Sequence, residues 1–235
     1  MNAALPQRLA AEACGCVLLT ATVVGSGIMG AQLAAGNIAI ALMANTGATV
    51  AVLVVLISLF ARVSGAHFNP VVTLVMALHR RMTWVAALAY MPVQIASCCL
   101  GAVLAHAMFD LPVLQTSSHI RSGGAQFISE IVATCGLLLV VLGHRREREA
   151  PWLVAMWIGA AYWFTASTSF ANPAITIARS LTDTFAGIRP VDVPAFVAAQ
   201  LIGAVLAAGF SRVLFRKPGI VTSGRHPIAA RASSC

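Results

Sequence analysis

The chain has 235 residues, of which 59% are hydrophobic and only 9% carry a formal charge. This composition is typical of an integral membrane protein, and at roughly 20 residues per span the length allows about six spans and two shorter helices. The net charge of +8 does not indicate nucleic acid as a partner, because the basic residues separate apolar runs and form no stripe with interleaved aromatic residues.

The first three spans are predicted from apolar runs that polar or charged residues interrupt. The N-terminal run lacks a convincing cleavage site, so we expect a retained first span and not a removed signal peptide. Glycines within this run allow close contact between helices. The predicted spans are 9–34, 38–61 and 84–108, and a polar loop follows over 110–124.

Between the second and third spans, segment 62–68 forms a re-entrant loop that leads to an Asn69-Pro70 pair. Asn is a favoured helix N-cap and Pro fits the first helical position, so the pair predicts a helix start. The apolar run that follows, Val71 to Leu78, is too short to cross a bilayer. A helix that begins at mid-depth has unpaired N–H groups and a positive dipole end, which a membrane tolerates only against protein or a water-filled cavity.

The second half of the chain repeats this plan. Its predicted spans are 125–142, 151–166 and 193–214, with a charged loop at 144–149. The segment 167–181 holds a second short apolar run after the pair Asn172-Pro173, which lies 103 residues after the first pair. Beyond the last span, residues 216–235 form a basic tail that we expect to be mobile.

Two short sequence likenesses support an internal duplication. The segment around Glu12 resembles the segment around Glu130, and Val93-Gln94-Ile95 resembles Ala199-Gln200-Leu201. Three spans per half is an odd number, so the halves must lie inverted in the membrane, an architecture known from transport proteins. The predicted inverted repeats are residues 1–124 and 125–215.

Lysine and arginine residues lie mostly on one side of this predicted topology. Three of them, Arg121, Arg179 and Arg189, fall on the side away from the termini. Because positively charged loops stay in the cytoplasm, the asymmetry predicts that both termini are cytoplasmic. The twelve on the side of the termini are Arg8, Arg62, Arg80, Arg81, Arg145, Arg146, Arg148, Arg212, Arg216, Lys217, Arg225 and Arg231.

The paired motifs carry a family resemblance. Asn69-Pro70-Val71 and Asn172-Pro173-Ala174 resemble the doubled Asn-Pro-Ala signature of the aquaporins and glycerol facilitators, the major intrinsic protein family. The likeness extends from about Glu12 to Phe215. It implies an all-α membrane fold with six transmembrane helices and two re-entrant half-helices in an inverted repeat. It also implies a homotetramer in which each protomer has its own pore. We expect no cofactor.

In this family the two half-helices meet at their N-termini, and each Asn points a side-chain N–H into the pore. Asn69 and Asn172 are therefore expected to bind a solute oxygen together, while the two dipole ends repel cations, hydronium included. Capping a helix is the simpler role for each Asn. A surface cap, however, would not recur at symmetric positions in a membrane chain.

Glu12 and Glu130 are the acidic residues predicted to lie deep within spans. An ionisable residue there indicates a function by default, because leaving it unpaired is costly. Proton coupling is one interpretation. The resemblance implies another, in which each carboxylate accepts hydrogen bonds from its re-entrant loop, and the symmetric positions favour this structural role.

The resemblance also implies a selectivity filter, and here the chain departs from the usual pattern. Most members have Arg three residues after the second Asn, where this chain has Ile175. If the spacing is shifted by a few residues, Tyr162 or Trp163 replaces the small residue expected in the fifth span and narrows the pore. The other filter positions, carried over by spacing, are Thr49, Ala160 and Ser169.

Two further residues are expected near the ends of the pore. Arg179 lies four residues beyond Ile175, about one turn along the same face, in the outer vestibule. There it either contacts solute or extends to the membrane surface as the terminus of the half-helix. His67, two residues before Asn69, is expected at the cytoplasmic mouth, where pore lining is favoured over a pH-sensing role.

A filter ring of small, uncharged residues predicts a wide pore. Such a pore would pass glycerol, urea and the neutral hydroxides of trivalent arsenic and antimony, together with water. A filter without this Arg resembles that of bacterial aquaglyceroporins associated with arsenic resistance. We therefore predict a passive channel in the bacterial inner membrane, whose partners are small neutral solutes and membrane lipid.

Other functions stay open at this point. One is a water-selective aquaporin, and another is a secondary active transporter, for which Glu12 and Glu130 are the only candidate coupling groups. An intramembrane enzyme would need a nucleophile–base pair, and none is visible, so we expect no enzymatic activity. We also expect no metal site, because the six cysteines include no CxxC pair and five of them lie in apolar segments.

Overall fold

The structure is a computed structural model that describes residues 3–144 and 146–215. The predicted tail, 216–235, lies outside the described residues, and so does Arg145. Within the described part of the chain every regular element is helical. We number the α-helices as α1 (Leu5–Leu33), α2 (Ile38–Ser64), α3 (Pro70–Leu78), α4 (Trp84–Met108), α5 (Gly124–Gly143), α6 (Ala150–Phe164), α7 (Pro173–Arg179) and α8 (Val193–Leu214).

Five of these helices are long and apolar enough to cross a membrane: α1, α2, α4, α5 and α8. The bounds of α4 and α8 are those predicted from the sequence. In α4 the side-chain oxygen of Thr83 accepts a hydrogen bond from Ala86 N at 3.3 Å, which fixes the helix start as an N-cap. Short 3₁₀ turns, Glu147–Glu149 and Pro190–Asp192, lead directly into α6 and α8.

The predicted fifth span is shorter than expected. Helix α6 has 15 residues, or about 22 Å at 1.5 Å per residue, and ends at Phe164 instead of Ala166. The reason lies in α5, whose side chains hold the backbone of Ala166. Ser129 Oγ accepts a hydrogen bond from Ala166 N at 3.0 Å, and Gln126 Nε2 donates to Ala166 O at 3.0 Å.

Both half-helices begin as the Asn-Pro pairs predict. Asn69 and Asn172 have extended backbones with φ of −157° and −156°, and each is followed by Pro at the first helical position. The helices that follow have nine and seven residues, about 13 and 10 Å of rise. Neither is long enough to cross a bilayer, so both end inside or at the edge of the helical bundle.

Each half-helix packs against helices of the other half of the chain. The valines of α3 form one buried cluster with Leu138 and Leu142 of α5 and Ala204 and Ala207 of α8. Helix α7 correspondingly packs along α4. The long helices pair in the same way in both halves, α1 with α4 and α5 with α8.

Glycines permit the close approach of these paired long helices. A Cβ atom on Gly101 of α4 would lie 2.5 Å from Val17 O in α1, and one on Gly203 of α8 would lie 2.6 Å from Ile131 O in α5. Both distances are below van der Waals contact, so neither position accepts a side chain without displacing a helix. Small residues at such crossings allow the backbone contact that stabilises helix pairs in membranes.

The bundle has two distinct faces. On one, which we call the terminal face, Leu5 and Leu9 at the start of α1 pack near Met82, and Phe215 at the end of α8 lies against Gly143. On the other, the loop face, the connections 109–123 and 180–192 are joined by backbone hydrogen bonds such as Ser117 N to Ser180 O at 3.0 Å.

Candidate functional site

The two Asn-Pro pairs meet at the centre of the bundle. Asn69 Nδ2 donates a hydrogen bond to Ala171 O, and Asn172 Nδ2 donates one to Phe68 O, both at 2.8 Å. Each side-chain oxygen caps its own half-helix, since Asn69 Oδ1 accepts from Val71 N and Asn172 Oδ1 accepts from Ala174 N, both at 3.0 Å. Each amide has a second N–H that these bonds leave available.

The loops before the two Asn residues have matching and unusual backbones. Ala66 and Phe68 in the first loop, and Ser169 and Ala171 in the second, have φ between 48° and 52°. Non-glycine residues rarely occupy this left-handed region, so other contacts must hold them there. The corresponding positions are 103 residues apart, the same spacing as the Asn-Pro pairs.

Glu12 holds the first loop in place. Its carboxylate accepts hydrogen bonds from the loop N–H groups of His67 at 3.0 Å and Phe68 at 2.7 Å. Ser64 Oγ and Gln94 Nε2 complete the set, at 2.7 and 2.8 Å. Because N–H and C=O point in opposite directions across a trans peptide, the carbonyls of Ala66 and His67 point away from Glu12.

Glu130 holds the second loop through an equivalent set of contacts. It accepts from the N–H groups of Phe170 and Ala171, both at 2.9 Å. Ser167 Oγ and Gln200 Nε2 donate at 2.6 and 2.7 Å. Both carboxylates are fully buried, and each therefore has four donors and no contact with solvent.

The two glutamines tie each carboxylate to its half-helix. Gln94 Nε2 also donates to Thr73 Oγ1 in α3, and Gln200 Nε2 donates to Thr176 Oγ1 in α7, both at 2.9 Å. Each long helix that carries a glutamine is thereby fixed to the loop and to the half-helix at once.

One cavity of about 300 Å³ passes these residues. At the terminal face it is lined by His144, Glu147 and Ala150, and towards the loop face it is lined by Ile175 and Arg179. Its middle portion is formed by both loops and by apolar side chains of the surrounding helices. The central lining residues are Leu19, Val23, Leu53, Ile57, His67, Phe68, Asn69, Val72, Leu137, Ser169, Phe170, Ala171 and Asn172.

The structure corrects one predicted filter residue. Ala160 does not line the cavity and is exposed on the outer side of α6. Tyr162 lines the cavity in its place and is 3% exposed, whereas the neighbouring Trp163 is 50% exposed. The cavity wall of α6 consists of every fourth residue, Ala150, Val154, Ile158 and Tyr162, so position 160 falls on the opposite side of the helix.

The other three predicted filter residues line the same cavity. Thr49 Oγ1 lies 3.3 Å from the hydroxyl of Tyr162, which joins α2 to α6 across this part of the wall. Ile175 is 5% exposed and presents an apolar surface. Ser169 also lines the cavity, and its Oγ is buried with no hydrogen-bond partner among the described residues.

Arg179 is buried and does not extend to the surface of the bundle. It is 2% exposed, and its Nε donates a hydrogen bond to Ala186 O. The guanidinium carbon lies 3.4 Å from the centroid of the Phe170 ring. Arg179 lines the cavity together with the predicted filter residues, so this part of the wall carries a positive charge.

His67 also lines the cavity, on the side of the first loop. Its Nδ1 lies 3.0 Å from Thr73 Oγ1, and its ring centroid lies 5.7 Å from that of Tyr90. The side chain is therefore held by α3 and α4 and is 7% exposed.

Sequence reasoning missed the contribution of two residues near the loop face. Phe170 lies 103 residues after His67, so the motif spacing alone could have indicated it as the matching lining residue. Arg121, in the connection before α5, is 9% exposed, and no motif links it to the Asn-Pro pairs.

Among the described residues no group of three His, Cys, Asp or Glu side chains has the arrangement of a metal site.

Comparisons with known proteins support one family. A profile of the major intrinsic protein family matches residues 2–166 and 149–233 of the chain. Aquaglyceroporin AqpS of Rhizobium meliloti (strain 1021) is 55% identical over 214 residues, which cover 90% of this chain and 91% of that protein. A probable glycerol uptake facilitator protein of Thermotoga maritima is 31% identical over 117 residues, covering 45% of this chain and 50% of that protein.

A solved structure supports the fold. The X-ray structure of the aquaglyceroporin from Plasmodium falciparum matches with a TM-score of 0.69 and covers 90% of this chain and 97% of that one. The sequence identity is 17%, so this likeness concerns the fold alone. Together with the helices described above, it confirms the predicted all-α membrane fold.

Proposed function

Because this chain belongs to the major intrinsic protein family of membrane channels, we propose that it is a passive channel for small uncharged solutes of the aquaglyceroporin type. Its solutes are glycerol and the neutral hydroxides of trivalent metalloids such as arsenite, with water passing as well. The observation that carries this proposal is a cavity that passes both Asn residues and has Ile175 on its wall where most family members have Arg.

The two Asn residues are proposed to bind each solute as it passes. One amide N–H of each is engaged by the opposite loop, which fixes the side chain and directs the second N–H to the cavity that both residues line. A hydroxyl oxygen can accept from both donors. The N-termini of α3 and α7 add two positive dipole ends at the same depth, which oppose the passage of cations.

The wall near the loop face suits an amphipathic solute. Glycerol has an apolar carbon side and a hydroxyl side. Ile175 offers a surface to the carbons, and the hydroxyl pair of Thr49 and Tyr162 offers partners to the hydroxyls. Tyr162 makes the ring narrower than Ala160, the small residue expected from spacing, would make it. The presence of Tyr162 therefore favours the alternative of a water-selective channel.

A secondary active transporter is a weaker alternative. It would need a carboxylate that exchanges a coupling ion near the midplane. Glu12 and Glu130 are each surrounded by four donors from the loops and neighbouring helices. We propose that both carboxylates are structural, since ion exchange would break the contacts that hold the loops.

We further propose the arrangement of the channel in its membrane. The chain comprises two inverted repeats, 1–124 and 125–215, and assembles as a homotetramer in the bacterial plasma membrane with both termini cytoplasmic. The arginine asymmetry supports this orientation, since Arg121, Arg179 and Arg189 are the lysine or arginine residues near the loop face in the described part of the chain. His67 would then line the cytoplasmic half of the pore, and Arg179 the outer vestibule.

Stopped-flow light scattering on proteoliposomes tests the proposal. Wild-type protein should accelerate the equilibration of glycerol, and arsenite uptake should rise in parallel, both without a proton or sodium gradient. The Ile175→Arg variant should lose glycerol and arsenite flux more than water flux, because it returns a long charged side chain to the ring. Water flux with no glycerol or arsenite flux in the wild-type protein would overturn the aquaglyceroporin assignment.

A further inference from the structure

Phe170 lies close to two buried arginines at the loop-face end of the cavity. Its ring centroid is 3.4 Å from Cζ of Arg179 and 5.0 Å from Cζ of Arg121. The ring also packs edge-on against Phe196 of α8, with centroids 5.0 Å apart, and is 4% exposed. Phe170 is therefore fixed in position, and a fixed ring face is a binding surface for a planar cation.

The two arginines are held by neighbouring residues of one connection. Arg179 Nε donates to Ala186 O, and Arg121 Nε donates to Gly187 O at 2.7 Å. Ile188 N donates back to Arg179 O at 3.2 Å. A Cβ atom on Gly187 would lie 2.3 Å from Ser117 Oγ, so this connection is closely packed and cannot easily shift.

No carboxylate forms an ion pair with either guanidinium among the described residues. The ion pairs found there are Arg146 with Glu149 and Arg189 with Asp192. Arg121 is instead satisfied by carbonyls, since its Nη1 also lies 3.3 Å from Ser167 O in the second loop. A buried charge without a counter-ion is costly and marks a functional position in a membrane protein.

We infer that Phe170 and Arg121 are positioning residues that hold the guanidinium of Arg179 against the cavity wall, where it excludes cations and donates hydrogen bonds to passing solutes. Arg179 Nε is used by Ala186 O, so the terminal nitrogens are the donors on the cavity side. Arg121 fixes the loop that carries Phe170 through its bond to Ser167 O and adds a second positive charge near the ring. This inference rests on the proposed channel function and assigns to these three residues a second barrier to cations, in addition to the dipole ends of the two half-helices.

Urea and guanidinium provide the test, because both are planar and of similar size but only guanidinium is charged. Their influx into proteoliposomes would be compared for wild type, Arg179→Gln, Arg179→Lys, Phe170→Leu and Phe170→Tyr. Removing the charge should raise the guanidinium-to-urea permeability ratio at least tenfold, because one unit charge has about this effect even roughly 10 Å from the ion at an effective dielectric constant of about 20.

Phe170→Leu should raise the same ratio although it removes no charge, because the guanidinium loses the ring that holds it. Phe170→Tyr keeps the aromatic ring, so its guanidinium-to-urea permeability ratio should stay close to that of wild type. Arg179→Lys keeps the charge but not the planar contact, and should fall between wild type and Arg179→Gln. Phe210→Leu and Arg212→Gln, at exposed positions of α8, are matched controls that should leave the ratio unchanged.

The outcomes separate this inference from the proposed function. Absent urea and glycerol flux in wild type contradicts the channel itself. Normal urea flux with an unchanged ratio in Phe170→Leu overturns the positioning role of Phe170. An unchanged ratio in Arg179→Gln, with urea flux retained, overturns the role of Arg179 as the cation barrier.

Discussion

Asn69 and Asn172 each donate a side-chain hydrogen bond to the carbonyl of the residue that precedes the other, at 2.8 Å in both directions. The bonds cross from one half of the chain to the other, so each half-helix is oriented by the opposite loop. The same side chains cap their own helices through the amide oxygen. Capping and orientation can therefore be separated by substitution.

Asn172→Ser tests this separation. A serine hydroxyl can still cap α7, but it does not reach Phe68 O as an amide does. We expect a loss of about 1 kcal/mol in unfolding free energy, the typical worth of one hydrogen bond, together with a large loss of glycerol flux. Unfolding in detergent and stopped-flow flux are the measurements. Asn37→Ser, at the exposed N-cap of α2, is the control and should leave flux unchanged.

Glu130→Gln tests the structural role of the buried acids. The amide of glutamine keeps one acceptor oxygen but presents an NH₂ group where the other oxygen accepted two bonds, so two of the four contacts are lost. The variant should be destabilised by about 3 kcal/mol or more, since a hydrogen bond to a charged acceptor is worth roughly 1.5–3 kcal/mol. Glu149→Gln breaks a surface ion pair with Arg146 and should cost less than about 1 kcal/mol.

Thermal unfolding in detergent measures both glutamate variants. If Glu130→Gln were as stable as wild type and its solute flux depended differently on the proton gradient, the structural role would be contradicted. Such a result would support the transporter alternative.

Tyr162→Ala tests which residue of α6 forms the ring. Removing this side chain should widen the cavity and raise the flux of glycerol and of four-carbon polyols relative to water. Tyr162→Phe removes only the contact with Thr49 and should change the ratio little. Trp163→Ala and Ala160→Leu alter exposed neighbours and serve as controls. A larger effect of Ala160→Leu than of Tyr162→Ala on this ratio would restore the spacing-based assignment.

Gly203→Ala tests the close approach of α8 to α5. The added Cβ would lie 2.6 Å from Ile131 O, so we expect a destabilisation of about 1–3 kcal/mol, as for other overpacked positions. Gly209→Ala lies in the same helix with no atom within 4 Å of the added Cβ and should be neutral or stabilising by up to about 1 kcal/mol. Equal effects of the two substitutions on thermal unfolding would show that the contact is unimportant.

The hydrogen bonds of Asp183, at the loop face, should make the stability of the folded protein depend on pH. Hydrogen bonds from the backbone N–H and the hydroxyl of Ser118 hold the pKa of this carboxyl below its usual value of 3.8. A lowered pKa stabilises the folded protein above the unfolded-state pKa, and this stabilisation is lost as the pH falls through the folded-state pKa. Wild type should therefore lose thermal stability below about pH 4 more steeply than Asp183→Asn. Parallel profiles would contradict this role.

The sequence determines the long helices well and the cavity wall less well. The bounds of α4 and α8 follow from apolar runs and local caps, which a single sequence contains. The number of residues between the cavity wall of α6 and Asn172 depends on the path of the loop after α6, and Ser129 and Gln126 of another helix hold the start of that loop at Ala166. Counting residues back from Asn172 cannot include such a contact, so the count selected Ala160.

The contacts of the Arg179 side chain could not be predicted from the local sequence pattern either. Its place one turn after Ile175 is a matter of helical spacing and was predicted. Its contact with Phe170 and its bond to Ala186 depend on how the connection 180–192 folds back over α7. The Asn-Pro pairs, by contrast, cap their helices through neighbouring residues, and for this reason the helix starts were predictable.

The packing of α3 has a consequence for how the chain is made. Val71, Val72 and Val75 are buried against Leu138 and Ala204, residues that the ribosome adds much later. At roughly 5–20 residues per second, the first half-helix waits several seconds for the first of these partners and longer for the second. During synthesis the valine face of α3 therefore lacks its partners from the second half of the chain until α8 has been added.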